Sequence, residues 1–222
     1  MTDKLRVLIT GFGPFPGAPY NPTIPLVKRL TQLRRPAFGD VELIGHIFHV
    51  TYGTVDRELP ELIVQHRPQA LLMFGLADRT AHVRIETRAR NAVTTLFPDA
   101  DRNRARKGSI VDGADAMMFG PHTAKLLRAA DGTGIDARPS RDAGSYLCNY
   151  LSWRAIEATG SDNGPRLAAF VHVPLIARNG TPQRKSATHR VTLEELVDSG
   201  EAMLLELVKL TRGALRSGKQ SS

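Results

Sequence analysis

Cysteine is nearly absent: Cys148 is the single one in 222 residues. That excludes an intramolecular disulfide framework and a cysteine-built zinc site. Long apolar runs are also missing; none approaches the roughly 18 to 20 residues that a membrane span needs. The opening segment Met1-Thr2-Asp3-Lys4-Leu5-Arg6 lacks the long apolar region and cleavage site of a signal peptide, so a cytoplasmic protein is expected. Aromatic residues make up 6% of the chain and form no ladder among the cations on which bases could stack. Acidic residues are the scarcer charge, 22 against 30 Lys plus Arg, which gives a formal +8. The cations are scattered, with the densest belt at Arg84, Arg88, Arg90, Arg102, Arg104, Arg106 and Lys107. A basic solvated surface fits that pattern better than nucleic-acid binding.

What is present is a globular mixture, 41% apolar and 23% charged, in a length suited to one α/β domain. Residues 5–10, 70–75 and 167–173 are short apolar runs closed by Gly or Pro and read as buried strands. Residues 41–50 and 135–139 are further strands, and 82–94 alternates loosely as an extended segment. Helices are expected over 23–33, with Thr23 as cap, and over 54–66, 119–130, 145–159 and 193–215. Residues 98–115 are polar, Arg-rich and without period, a long surface loop. Strands alternating with helices imply a three-layer α/β/α sandwich around a mostly parallel twisted sheet. The expected organisation is one domain over 1–216 with a disordered tail at 217–222. In such sheets ligands bind beyond the carboxyl ends of strands, where the Gly11 loop, the Gly75 loop and the segment after Val171 fall.

Gly11-Phe12-Gly13-Pro14-Phe15-Pro16-Gly17 brushes against a dinucleotide fingerprint, but its prolines remove the N–H groups a pyrophosphate requires. Phe12 and Phe15 either plug the core or wall a flat apolar ligand. Cys148 follows Gly144-Ser145-Tyr146-Leu147, with Ser145 placed to cap a helix. A lone cysteine is commonly a small buried hydrophobe, yet the positive end of a helix favours a thiolate nucleophile. His172 closes an apolar strand; it is a structural residue or the base such a nucleophile needs. Glu86 is a surface carboxylate paired with neighbouring arginines, or the acid that orients the imidazole. The other histidines form no metal-ligand pattern, and His46 and His49, three apart in a strand, face opposite ways.

Taken together, these segments resemble the pyroglutamyl peptidase I (pyrrolidone-carboxylate peptidase) family of cysteine peptidases. The matching blocks are Gly11-Phe12-Gly13-Pro14-Phe15 with Asn21-Pro22-Thr23, Gly75-Leu76-Ala77 with Glu86 and Asn91, Ala143 through Asn149, and Phe170-Val171-His172-Val173-Pro174. The resemblance implies Cys148 as nucleophile, His172 as general base and acid, and Glu86 as orienting carboxylate. It implies Phe12 and Phe15 around the pyroglutamyl ring, Tyr146 as added wall and the backbone near Leu76 on the lactam. No metal or cofactor is implied; the partner is a peptide with an N-terminal pyroglutamate, and the chain is expected as a homodimer or homotetramer.

Two positions depart from the family pattern. Thr87 stands where Arg usually follows the acid, and Leu96 stands where an Arg helps hold the oxyanion. Either Arg88 or Arg90, two and four residues beyond Glu86, reaches into the site, or backbone N–H groups suffice, or the substrate differs, or activity is weak. The rival expectation is a non-catalytic or substrate-shifted homologue that binds cyclic amides or blocked N-termini.

Overall fold

The structure, a computed structural model, describes residues 4–15, 17–176 and 190–219. Its main sheet has six strands in the order β2 (Val41–Phe48), β1 (Leu5–Phe12), β3 (Ala70–Leu76), β8 (Leu167–Val173), β4 (Val83–Glu86) and β7 (Ala137–Ser140). The first four run parallel; β4 is antiparallel to β8, and β7 parallel to β4. A separate ribbon pairs β5 (Arg88–Arg90) with β6 (Ala116–Met118).

The central strands are apolar on both faces because both faces are covered. Val7, Ile9, Leu72, Phe74, Ala169 and Val171 join one core with Leu26 and Leu30 of α1 (Thr23–Thr31), Leu126 of α3 (His122–Asp131) and Leu204 and Leu207 of α5 (Leu193–Lys219). Their alternates Leu8, Leu71, Met73 and Phe170 join the other with Val55 and Leu59 of α2 (Tyr52–His66) and Leu151 and Trp153 of α4 (Leu147–Thr159). This is the expected α/β/α sandwich.

Several boundaries differ from expectation for local reasons. Gly11 does not end β1; its missing Cβ, which would lie 2.8 Å from Thr23 Oγ1, lets the strand continue beneath α1. Thr23 is inside the helix, not its cap, and its hydroxyl exchanges hydrogen bonds with Phe12 N and O. Thr51 caps α2 by accepting from Thr54 N, so that helix starts at Tyr52. Ser145 does not cap α4; Gly144 at φ +83° turns the chain, and Tyr146 is the capping position. The expected extended run 82–94 breaks at Thr87, whose N–H and hydroxyl both donate to Ser140 O at 2.8 Å. Helix α5 runs past 215 to Lys219, and 220–222 lie outside the described residues. Among the described residues no helix is long and apolar enough to cross a membrane.

One buried carboxamide fixes the ribbon to α4. Asn149 donates to Arg90 O at 2.8 Å and Ala92 O at 2.9 Å, and accepts from Arg90 N at 2.8 Å, with no exposed surface. Asn91 faces the other way and holds the long loop by accepting from Ile110 N and Val111 N and donating to Val111 O. Replacing Asn149 by Leu strands a buried N–H and two carbonyls, so denaturant unfolding of that variant is expected to show a loss of about 3 kcal/mol. A loss under about 0.5 kcal/mol would mean that the ribbon is not held by this side chain.

Candidate active site

Strand alternation decides which side chains meet. In β8, Ala169, Val171 and Val173 enter the core under α1, α3 and α5, so His172 emerges on the α2/α4 face. In β4, Val83 and Ile85 enter the same core, which sends Arg84 and Glu86 to the face of His172. The antiparallel register sets Arg84 opposite His172 and carries Glu86 one step further into the sheet. Glu86 therefore has no exposed surface and His172 only 5%.

The imidazole Nδ1–H donates to Glu86 Oε1 at 2.8 Å. Arg84 Nη2 lies 3.0 Å from that same oxygen, while Glu86 Oε2 is buried without a hydrogen-bond partner. The Cys148 side chain also acts on the ring; with Nδ1 taken by Glu86, Nε2 is the nitrogen left for sulfur. Burial pushes His172 toward the neutral form, but the influence of Cys148, then the charge and hydrogen bond of Glu86, outweigh it and raise the imidazole to about 9. The ring is thus protonated at neutral pH.

Cys148 is the second residue of α4 and half-buried. It sits in the first turn, where main-chain N–H groups lack intrahelical acceptors and carry the positive end of the helix dipole. Room for its sulfur comes from Gly75, in register with His172 on the neighbouring strand. A Cβ at Gly75 would lie 2.7 Å from Cys148 Sγ and 2.8 Å from Phe170 Cζ.

The loop that feeds α4 is fastened by three arginines. Arg88 Nε donates to Arg141 O at 2.8 Å, Arg84 Nη2 donates to Asp142 O, and Arg90 Nη2 donates to Gly144 O at 3.0 Å. Arg90 also pairs with Asp142 Oδ1 at 2.9 Å, and its Nε is buried without a partner. Arg88 and Arg90 belong to the β5/β6 ribbon and not to β4, so they do not continue the face of Glu86 as an unbroken extended segment would.

The remaining expected residues take these places. Phe15 faces Tyr146 with ring centroids 6.4 Å apart, and the Tyr146 hydroxyl donates to Pro98 O at 2.8 Å. Phe12 is 3% exposed and packs on Phe48 at 6.1 Å. Leu76 ends β3 beside Gly75, in register with Val173. Thr94 N donates to Ser145 O at 2.6 Å, which brings the 94–97 segment to the loop ahead of Cys148; there Leu96 is 72% and Phe97 66% exposed. Sequence reasoning missed Arg84, two residues before Glu86 and so on its face, and the space left by Gly75. Among the described residues no group of three or more His, Cys, Asp or Glu could hold a metal ion.

This architecture is that of a known class of α/β/α peptidases. The pyroglutamyl peptidase family profile (Peptidase_C15) matches residues 5–204. The pyrrolidone-carboxylate peptidase of Pyrococcus furiosus is 31% identical over 173 residues, 78% of this chain and 82% of its own. That of Pseudomonas fluorescens is 28% identical over 220 residues, 97% of this chain and 99% of its own. Among solved structures, the pyrrolidone carboxyl peptidase of Thermococcus litoralis superposes with a TM-score of 0.83 at 25% identity, covering 95% of this chain and 96% of that one. The Fervidobacterium islandicum enzyme gives 0.82 at 29% identity, over 93% and 99%. The chain belongs to the pyroglutamyl peptidase family.

Two measurements check the geometry. The ring nitrogens of His172, followed by NMR, are expected to titrate near pH 9. The sign is that of a raised group: the charge is fully present below the ordinary ~6.5 and is lost as pH rises through the folded value. A midpoint at 6.5 or below would mean that the pairs with Cys148 and Glu86 do not form. Gly75→Ala is expected to slow alkylation of Cys148 at least about tenfold while most of the stability remains, because the added methyl displaces the sulfur from the ring. An unchanged alkylation rate would show that the space beside the sulfur is not needed.

Proposed function

We propose that this protein is a cysteine-type peptidase that removes an N-terminal pyroglutamyl residue from peptides through an acyl-enzyme. The observation that carries the reading is the buried Glu86–His172 hydrogen bond, with the other ring nitrogen left for Cys148. The names of the relatives, all pyrrolidone-carboxylate peptidases, support the substrate.

The Cys148 sulfur attacks the pyroglutamyl carbonyl carbon; the C–S bond forms and the carbonyl electrons move to oxygen. His172 gives its Nε2 proton to the amine nitrogen as the C–N bond breaks, leaving a thioester. Water then attacks the thioester while His172 takes its proton, and the thiolate leaves. Glu86 holds the ring by Nδ1 and stabilises the imidazolium throughout. Phe15 and Tyr146 give the lactam ring apolar walls, Phe12 supports them from the core, and main chain at Leu76 bonds the lactam amide.

Leu96 has no side-chain donor for the oxyanion. The first-turn N–H groups of α4 take that role. Arg88 and Arg90 both hold carbonyls of the loop, Arg141 O and Gly144 O, and Arg90, whose Nε has no partner, is the side-chain candidate. The non-catalytic rival is less well supported, because a binding module has no need of a buried acid bonded to an imidazole on which a thiol also acts.

A pyroglutamyl aryl amide is expected to be cleaved and the matching prolyl amide not; equal rates on both would remove the case for lactam recognition. Cys148→Ser is expected to abolish turnover with the fold intact. In wild type kcat/KM is expected to fall on the alkaline side near pH 9, as His172 loses the proton it gives the leaving amine. Arg90→Ala is expected to lower kcat about 100-fold with little change in KM, the pattern of a donor used in the transition state. Should Arg90→Ala and Arg88→Ala both turn over like wild type, main-chain donors carry the oxyanion alone.

A further inference from the structure

We propose that Arg84 is a positioning residue of this site, sharing Glu86 Oε1 with His172 and tying that carboxylate to the segment that leads into Cys148. The inference rests on the catalytic reading above for its kinetic consequence, but its geometric part stands separately. Arg84 Nη2 donates to Ser140 Oγ at 2.8 Å and to the Asp142 carbonyl, and forms an ion pair with Glu86 Oε1 at 3.0 Å. The Asp142 carboxylate in turn accepts from Gly144 N at 2.9 Å and pairs with the Arg90 guanidinium at 2.9 Å, ahead of the turn into α4. One guanidinium, 21% exposed, thereby joins the acid on β4 to the chain that carries the nucleophile.

Its electrostatic effect follows from the shared oxygen. Around His172 stand Arg84 and Glu86 from β4, Cys148 from α4, and the Phe170 ring at 5.0 Å on β8 itself. Ser140, at the end of β7, is uncharged and bonds Arg84. Glu86 Oε2 has no partner, so Oε1 alone serves both cations. The guanidinium draws on the same negative charge that holds the imidazolium. Without it the carboxylate serves His172 alone, and the ring holds its proton more tightly. A proton held too tightly passes less readily to a leaving amine, so Arg84 both fixes the carboxylate and limits its grip on the ring.

The test uses Arg84→Met, Arg84→Gln and Arg84→Lys in the full chain, with two readouts. By NMR, the His172 ring in Arg84→Met is expected to titrate about one pH unit above wild type, the scale of one nearby charge removed, while Arg84→Lys stays close to wild type. Arg84→Gln keeps a donor without charge and gives the same upward shift should the Met variant fold poorly. By kinetics on a pyroglutamyl aryl amide, the neutral variants are expected to lose about tenfold in kcat with little change in KM and to move the alkaline limb upward, and Arg84→Lys to recover both. An unchanged or lowered His172 midpoint in the neutral variants overturns the proposal, as does a kcat loss with the limb in place. Failure of the peptidase reading itself would appear differently: wild type would not turn over, and the ring titration would still decide whether Arg84 acts on His172.

Discussion

A carboxylate without exposed surface has to be paired, and the pairing of Glu86 constrains much of this molecule. It requires β4 to lie antiparallel on β8 in a sheet whose other central strands run parallel. In that register the carboxyl end of β8 meets the amino end of β4, so His172 sits opposite Arg84 and Glu86 lies a step inward, opposite Phe170. A parallel β4 would have carried its last residue outward toward the sheet's rim and solvent. The reversal is what makes the acid buried while the histidine it holds lies at the carboxyl end of β8. The same bond then fixes which ring nitrogen faces the thiol, because Nδ1 is already used.

Burial of several charges is costly unless signs alternate. Here they do: Arg84, Glu86 and His172 form a row of cation, anion and cation that ends at the Cys148 sulfur. That order explains why His172, whose burial favours the neutral ring, is nevertheless raised to about 9. The four members come from three elements, β4, β8 and α4, so the row depends on tertiary packing and not on any one motif. Gly75 supplies the remaining condition: any side chain on that strand position would fill the space the sulfur occupies.

The sandwich could be read from the sequence because its central strands are apolar runs closed by Gly or Pro, a pattern that burial on both faces demands. Thr23 misled because a hydroxyl near a helix start can bond a neighbouring strand as well as its own helix. Residues 82–94 were less legible: a loose alternation says extended, but it does not say that Thr87 turns the chain onto Ser140 O and hands the next residues to another sheet. On a strand that continued past Glu86, the alternation of side chains would put Arg88 and Arg90 on its face. Applied backwards it gives Arg84, and that direction is the one the strand supports. Cys148, His172 and Glu86 each had a structural reading of comparable weight when taken singly. Their association came from resemblance, since no spacing in the sequence reveals that positions 86, 148 and 172 converge.

The basic composition finds part of its explanation in the same place. Arg84, Arg88 and Arg90 begin the densest cationic belt in the chain, yet each gives a donor to a main-chain carbonyl of the segment 141–144. A guanidinium suits this use because it keeps its charge while donating to a carbonyl and a hydroxyl, as Arg84 does beside the Glu86 carboxylate. Asn149 closes the arrangement from the helix side by holding Arg90's own backbone. The loop before Cys148 has no regular structure and turns at a glycine with positive φ, so its precision has to come from such fasteners. Charges that would signal an anionic partner if they all faced solvent here include three that serve to hold a thiol in place.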